Sequence, residues 1–188
     1  EKFGINEIII TTMQALSGAG FPGVPALQIQ GNIIPFIKNE EEKVENEPLK
    51  ILGKLKEGRI ENAKFKISAT CIRVPVVDSH TISLYIKTKK DVTTTEVKKT
   101  LADFSGLPQK LKLPSAPKQP IIVREEEDRP QPILDKNAGN GMSVVVGRIR
   151  TKKKLISLVL LSHNTIRGAA GAGILDAELL MKLGIIKK

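Results

Sequence analysis

The sequence has no tryptophan, one tyrosine and one cysteine, and aromatic residues fill only 3% of its 188 positions. Proteins that grip single-stranded nucleic acid stack bases on aromatic side chains, and that mode has almost nothing to use here. A lone cysteine excludes an intrachain disulfide and points to an intracellular, cytoplasmic setting. No run reaches the ~18 apolar residues of a membrane span, and no signal-peptide pattern opens the chain. No internal repeat is visible, and no metal site is expected.

A hydrophobic content of 40% is that of a globular protein, long enough for one domain with its own core. The formal charge is +10, from 30 basic and 20 acidic residues. Such a balance attracts anions: nucleic acid, a membrane surface or phosphorylated small molecules. The basic residues are scattered, however, at 87–90, 98–99, 110–112, 148–154 and Lys187-Lys188. A solvated surface accounts for them, and no nucleic-acid-binding motif accompanies them. Neither nucleic acid nor membrane is expected as a partner. The chain begins at Glu1 rather than methionine, and a strand is under way by Asn6, so it reads as part of a longer polypeptide.

The β-branched run 7–12 predicts a buried strand, followed by the glycine-rich loop 14–23. A helix is expected to open near Asn39 as N-cap, with Glu40, Glu41 and Glu42 favourable in its first turn, and to run through Leu55. Pro48 predicts a kink there or a later start. Residues 64–76 and 80–87 alternate as long strands, close enough in sequence for an antiparallel hairpin. Residues 93–104 read as a helix with Val97, Leu101 and Phe104 on one side. The proline-rich stretch 106–120 is loop or edge structure, 120–123 a brief strand, and 125–141 a polar surface excursion. Residues 142–150 and 155–162 predict a second hairpin. A last helix, 168–183, carries the stripe Leu175, Leu179 and Leu183, with Gly184 as its stop. Hairpins rather than regular βαβ units favour an α+β fold.

Arg73 and His80 bracket the turn between the two long strands. Phe65, Ile67, Ala69 and Cys71 share a parity that Arg73 continues; His80 shares one with Ile82, Leu84 and Ile86. A planar guanidinium and an imidazole at the ends of two apolar stripes fit an anion clamp beside a proton-transfer group. A surface arginine and a structural histidine are the plain alternatives. Ser17-Gly18-Ala19-Gly20 lets backbone approach a cofactor, or is simply a turn; it lacks the dinucleotide fingerprint. Glu40 and Lys43 are spaced for an i,i+3 surface pair, or for holding an ammonium and a phosphate. The small residues after Arg167 permit close helix packing or backbone contact with a cofactor. Cys71 reads as a small buried hydrophobe.

Met13-Gln14-Ala15-Leu16-Ser17-Gly18-Ala19-Gly20, Asn32-Ile33-Ile34-Pro35, Glu40-Glu41-Glu42-Lys43, Arg73-Val74-Pro75-Val76 with His80, and His163-Asn164-Thr165-Ile166-Arg167-Gly168-Ala169-Ala170-Gly171 together resemble aspartate-semialdehyde dehydrogenase of the archaeal and fungal branch. The likeness runs in order along essentially the whole chain and corresponds to the family's C-terminal part. It implies a mixed, largely antiparallel sheet with helices packed on one face, similar to the C-terminal domain of glyceraldehyde-3-phosphate dehydrogenase. It implies a catalytic and dimerisation domain over residues 1–165. A C-terminal helix over 166–188 would pack on an N-terminal Rossmann domain outside this chain; without that domain Leu175, Leu179 and Leu183 would expose an apolar stripe. The implied reaction makes aspartate semialdehyde from aspartyl phosphate with NADPH and releases phosphate, a step in lysine, threonine and methionine biosynthesis. A cysteine thiolate, also outside the chain, forms a thioester that hydride reduces.

By the same resemblance His80 is the acid/base, Gln14 orients the acyl group, Arg73 grips the substrate α-carboxylate, Glu40 meets its amino group and Lys43 the phosphate. Ser17, Gly18, Asn164, Gly168 and Ala169 would approach NADP. Cys71 matches no nucleophile. The assembly expected is a homodimer or homotetramer. Archaeal-type malonyl-CoA reductase is a similar family and the alternative; a non-catalytic assembly module is another. The chain alone is expected to be inactive.

Overall fold

The computed structural model describes residues 2–186; Glu1 and the Lys187-Lys188 pair lie outside them. The β-branched N-terminal run forms β1 (Ile5–Gln14). A 3-10 turn (Leu16–Ala19) and the one-turn helix α1 (Ala26–Ile29) lead to α2 (Glu40–Ile51). A small hairpin, β2 (Lys54–Lys56) and β3 (Arg59–Glu61), precedes β4 (Lys66–Arg73) and β5 (His80–Thr88). Next come α3 (Thr94–Ala102), α4 (Leu107–Lys110), β6 (Ile121–Val123) and α5 (Pro132–Asp135). The hairpin β7 (Val144–Lys152) and β8 (Leu155–Ser162) leads to α6 (Gly171–Lys182).

One six-stranded sheet in the order β4-β1-β5-β8-β7-β6 organises the domain. Strands β1–β5, β5–β8 and β7–β8 are antiparallel; β4–β1 and β6–β7 are parallel. The expected mixed, largely antiparallel sheet is therefore present. The expected hairpin between the two long strands is not: β1 lies between β4 and β5 and pairs with both. Strands are ~4.8 Å apart, so the link must span roughly 10 Å, well within the reach of residues 74–79. It does so by running along the end of β1. Val74 N donates to Gln14 O, Leu16 N to Val76 O and Ser17 N to Val77 O, at 2.7–3.1 Å.

The larger apolar cluster lies on one sheet face, while Val145 and Leu161 are buried on the other. Leu84, Ile86, Ile156 and Leu158 pack with Val146 and Ile149 under Val97 and Leu101 of α3. Full burial of one such side chain is worth about 1.5–3 kcal/mol. Thr93 and Glu96 start α3 with a reciprocal capping box. The helix ends at Ala102, so Phe104 leaves the helical period and stands exposed, contrary to its expected inward position.

Three other expectations change. α2 starts where predicted and runs through Pro48, but ends at Ile51 rather than Leu55. Asn39 adopts a left-handed backbone (φ 61°) and its side chain makes no cap bond. The excursion 125–141 is not only surface. Asp135 is buried there, accepting from Arg124 Nε (3.1 Å), Arg129 Nε (2.7 Å) and Nη2 (2.5 Å), and the Gln131 amide (2.8 Å). Burial alone would raise its pKa, but Arg129, the Gln131 amide and Arg124 hold it below the usual carboxylate value. Finally, a wide turn (Ile166–Ala170) precedes α6. Leu175 and Leu179 of α6 pack on Leu113 and Met142 of this same domain, so only Leu183 of the predicted stripe is exposed. Gly171 sits against Met142 and Ile166 with no room for a Cβ, the close-packing reading of its small residues.

Candidate active site

Gln14 ends β1 and Arg73 ends β4, directly opposite each other in register. His80 opens β5 two residues before Ile82, which pairs with Thr12. Alternation therefore puts Thr12, Gln14, Arg73 and His80 on one face, the face the sequence parity predicts. Arg73 is 6% and Gln14 5% exposed, while His80 is partly buried.

The main chain of Ala15 holds both charged candidates. Its carbonyl accepts from Arg73 Nη1 at 2.5 Å, and its amide donates to His80 Nδ1 at 3.1 Å. Because Nδ1 accepts, neutral His80 carries its proton on Nε2. Gly18 closes over the pair. A Cβ there would stand 3.0 Å from Arg73 Nη1 and His80 Cε1 and 3.2 Å from His80 Nε2. Burial and the neighbouring Arg73 charge push the His80 pKa below its ordinary value, with Glu40 and the Ser79 backbone opposing. Burial also lowers Arg73, again opposed by Glu40. Only one of the guanidinium's five donors is used on Ala15 among the described contacts, which leaves a side for an anion.

Helix α2 brings Glu40 to the same place. Gln14 Nε2 donates to Glu40 Oε1 (3.3 Å) and Thr12 Oγ1 (3.2 Å), leaving the Gln14 side-chain oxygen Oε1 for a donor. Glu40 also pairs with the more exposed Lys43 at 3.6 Å, the predicted i,i+3 contact. A second group gathers on the other side of His80. Asn164 Nδ2 donates to Ser17 Oγ at 2.9 Å, and Asn164 Oδ1 accepts the Ser79 amide at 2.9 Å. Gly168 and Ala169 follow Asn164 on an exposed segment; Gly168 N bonds the His163 carbonyl at 3.0 Å. They are not joined to Ser17 or Gly18 by any hydrogen bond among the described residues.

Sequence reasoning missed Ala15, whose role is entirely main-chain and leaves no signal in residue type. It also missed Ser79, buried in a left-handed conformation (φ 79°) that turns the chain into β5. Asp78-Ser79 between two strands is a turn signal that could have marked it. Cys71 is fully buried, and burial pushes its thiol up, the setting of a small buried hydrophobe. Guanidinium, carboxylate, amide and imidazole thus converge on one small volume. The set suits a zwitterion: an anion at Arg73, a cation at Glu40 and a proton transferred at His80.

A family model described as semialdehyde dehydrogenase, dimerisation domain, matches residues 1–167. The chain belongs to the semialdehyde dehydrogenase family. It is 54% identical over 184 residues to aspartate-semialdehyde dehydrogenase of Archaeoglobus fulgidus, covering 97% of this chain and 52% of that protein. It is 42% identical over 193 residues to a malonyl CoA reductase (NADP) of Metallosphaera sedula, covering 100% of this chain and 54% of that protein. The crystal structure of aspartate semialdehyde dehydrogenase with NADP from Candida albicans superposes with a TM-score of 0.87 at 42% identity, covering 97% of this chain and 52% of that one. This semialdehyde dehydrogenase domain has the fold of the glyceraldehyde-3-phosphate dehydrogenase C-terminal domain, as expected. It spans about half the length of the curated relatives it matches.

Proposed function

We propose that this chain is the catalytic and dimerisation half of an enzyme that makes aspartate semialdehyde from aspartyl phosphate. The observation that carries the reading is the convergence of Arg73, Gln14, Glu40 and His80 on one face, held by Ala15 and α2. Arg73 binds the substrate α-carboxylate in bidentate fashion. Glu40 accepts from the substrate amino group, and the free Gln14 oxygen orients the acyl portion. Lys43, on the outer side of Glu40, meets the phosphate that leaves. The nucleophile is a cysteine from outside this chain, and His80 handles its proton through Nε2.

NADP fits the rim beside His80. Ser17 presents a hydroxyl already paired with Asn164, Gly18 leaves bare backbone, and a Cβ at Gly168 would meet only one backbone oxygen, at 3.7 Å. Bound there, NADPH would supply the hydride that reduces the thioester. Ser17, Gly18 and Asn164 hold and orient it, and Gly168 and Ala169 meet its more distant part. Residues 1–165 form the catalytic body. The outer side of the C-terminal segment from residue 166 to 186, with Ile174, Met181 and Ile185 exposed, seats the Rossmann domain. The sheet face away from α3 carries Thr11, Ser68, Thr70, Ser83 and Ser157 around exposed Ile9 and Tyr85. That face suits a two-fold interface between copies.

Malonyl-CoA reduction is the second reading, favoured by the Metallosphaera relative. A malonyl thioester has no amino group for Glu40, which speaks for aspartate chemistry. Assaying the full-length enzyme with aspartyl phosphate and with malonyl-CoA separates the two. Aspartyl phosphate is expected to turn over at least ~100-fold more efficiently, since malonyl-CoA would leave the Glu40 carboxylate of a built site without its partner. Equal or better turnover of malonyl-CoA overturns the proposal.

A further inference from the structure

Beyond Glu40, the partly buried stripe of α2 is Glu41, Val44, Glu45, Pro48 and Leu49. Its spacing is that of an amphipathic helix facing a core, yet two of its positions are glutamates and no residue of α2 is fully buried. Both carboxylates end on main-chain amides of β4. Glu41 Oε1 accepts from Cys71 N at 3.0 Å, and Glu45 Oε1 from Ala69 N at 2.9 Å. β4 is an edge strand, so its outward amides have no strand to pair with. The next one, Arg73 N, donates to Ile34 O at 2.8 Å. The row 69, 71, 73 is filled by Glu45, Glu41 and Ile34 in turn.

The spacing makes this a register device as well as an edge cover. Four helical residues rise ~6.0 Å, and two strand residues rise ~6.6 Å. Glu41 and Glu45 therefore match Cys71 and Ala69 in one alignment, and a slip of α2 by one residue breaks both bonds. Glu40 and Lys43 ride on the same two turns. Hydrogen bonds to an ionised acceptor are roughly twice as strong as neutral ones, and α2 has little buried apolar area to hold it otherwise. We infer that Glu41 and Glu45 are positioning residues that lock α2 onto the β4 edge and thereby set Glu40 and Lys43 in the substrate pocket. The substrate part of this inference rests on the function proposed above.

The test uses the full-length enzyme with Glu41→Ala, Glu45→Ala and the corresponding glutamine variants. Amide exchange should quicken at Cys71 in Glu41→Ala and at Ala69 in Glu45→Ala, each at its own site. The KM for aspartate semialdehyde should rise about tenfold in either alanine variant, the loss expected for one charge-assisted bond, with the KM for NADP unchanged. Glutamine keeps an acceptor oxygen and should restore most of the difference, leaving a shift of about threefold. If an alanine variant fails to fold, the glutamine variants carry the same site-specific exchange and KM comparison. Unchanged exchange at both amides, or substrate and NADP KM rising together, overturns the inference. An inactive wild-type enzyme would instead defeat the proposed function, and exchange would still decide the register lock.

Discussion

At one end of the sheet Leu84, Ile86, Ile156 and Leu158 lie beneath Val97 and Leu101 of α3. At the other end, where β1 and β4 stop and β5 begins, the same face carries Gln14, Arg73 and His80. The strands and the parity are the same, but the forces differ. The α3 end is non-directional and gains stability with apolar area removed from water. The β1 end buries polar groups whose position depends on individual bonds, chiefly those to Ala15. A buried polar group is costly unless paired, and this end leaves some of Arg73's donors and the Gln14 oxygen open. One sheet face thus stores stability at one end and unsatisfied binding capacity at the other.

The sharpest way to break this contrast is His80→Asn in the full-length enzyme. Its kcat should fall by ~10²–10⁴, while the melting temperature stays close to that of the wild type; a large thermal shift with normal kcat would reverse the assignment. Asp135→Ala is a polar substitution expected to act the other way. Among the described residues Asp135 accepts from Arg124, Arg129 and the Gln131 amide, so its loss should cost about 3–5 kcal/mol in denaturant unfolding by stranding Arg124 and Arg129. Leu158→Ala at the α3 end should cost about 2–5 kcal/mol of stability and leave substrate KM unchanged. Gly18→Ala is smaller and purely functional. Its Cβ displaces flexible ends of Arg73 and His80, so kcat/KM should drop about tenfold with no loss of stability.

The smallest effect is one of pH. His80 is held below the ordinary histidine value of ~6.5, so the folded protein binds this proton less readily than the unfolded chain. The contribution to stability is thus present above about pH 6.5 and lost as pH falls through the folded value. In kcat/KM the acid limb assigned to His80 should lie below pH ~6.5 and move when Arg73 is replaced by glutamine; a limb above that value contradicts the electrostatics.

The placement of Arg73 and His80 on one face was legible because side-chain alternation is local. Their neighbour relation was not, because β1 slips between β4 and β5, and pairing between distant segments is a property of the whole sheet. The Glu40–Lys43 pair was legible from helical spacing. The grip of Ala15 was invisible, since any residue type offers the same amide and carbonyl. Burial of Asp135 was hidden in a polar stretch whose arginines fold back on it, and Leu175 found its cover in Leu113 and Met142, far away in sequence.

The most direct test compares the isolated chain with the full-length enzyme in phosphate-dependent reduction of NADP by aspartate semialdehyde. The proposed function requires turnover by the full-length enzyme that depends on Arg73 and His80, and none by the isolated chain, which on that proposal supplies half of the site. Robust turnover by the isolated chain, or none by the full-length enzyme, would contradict it.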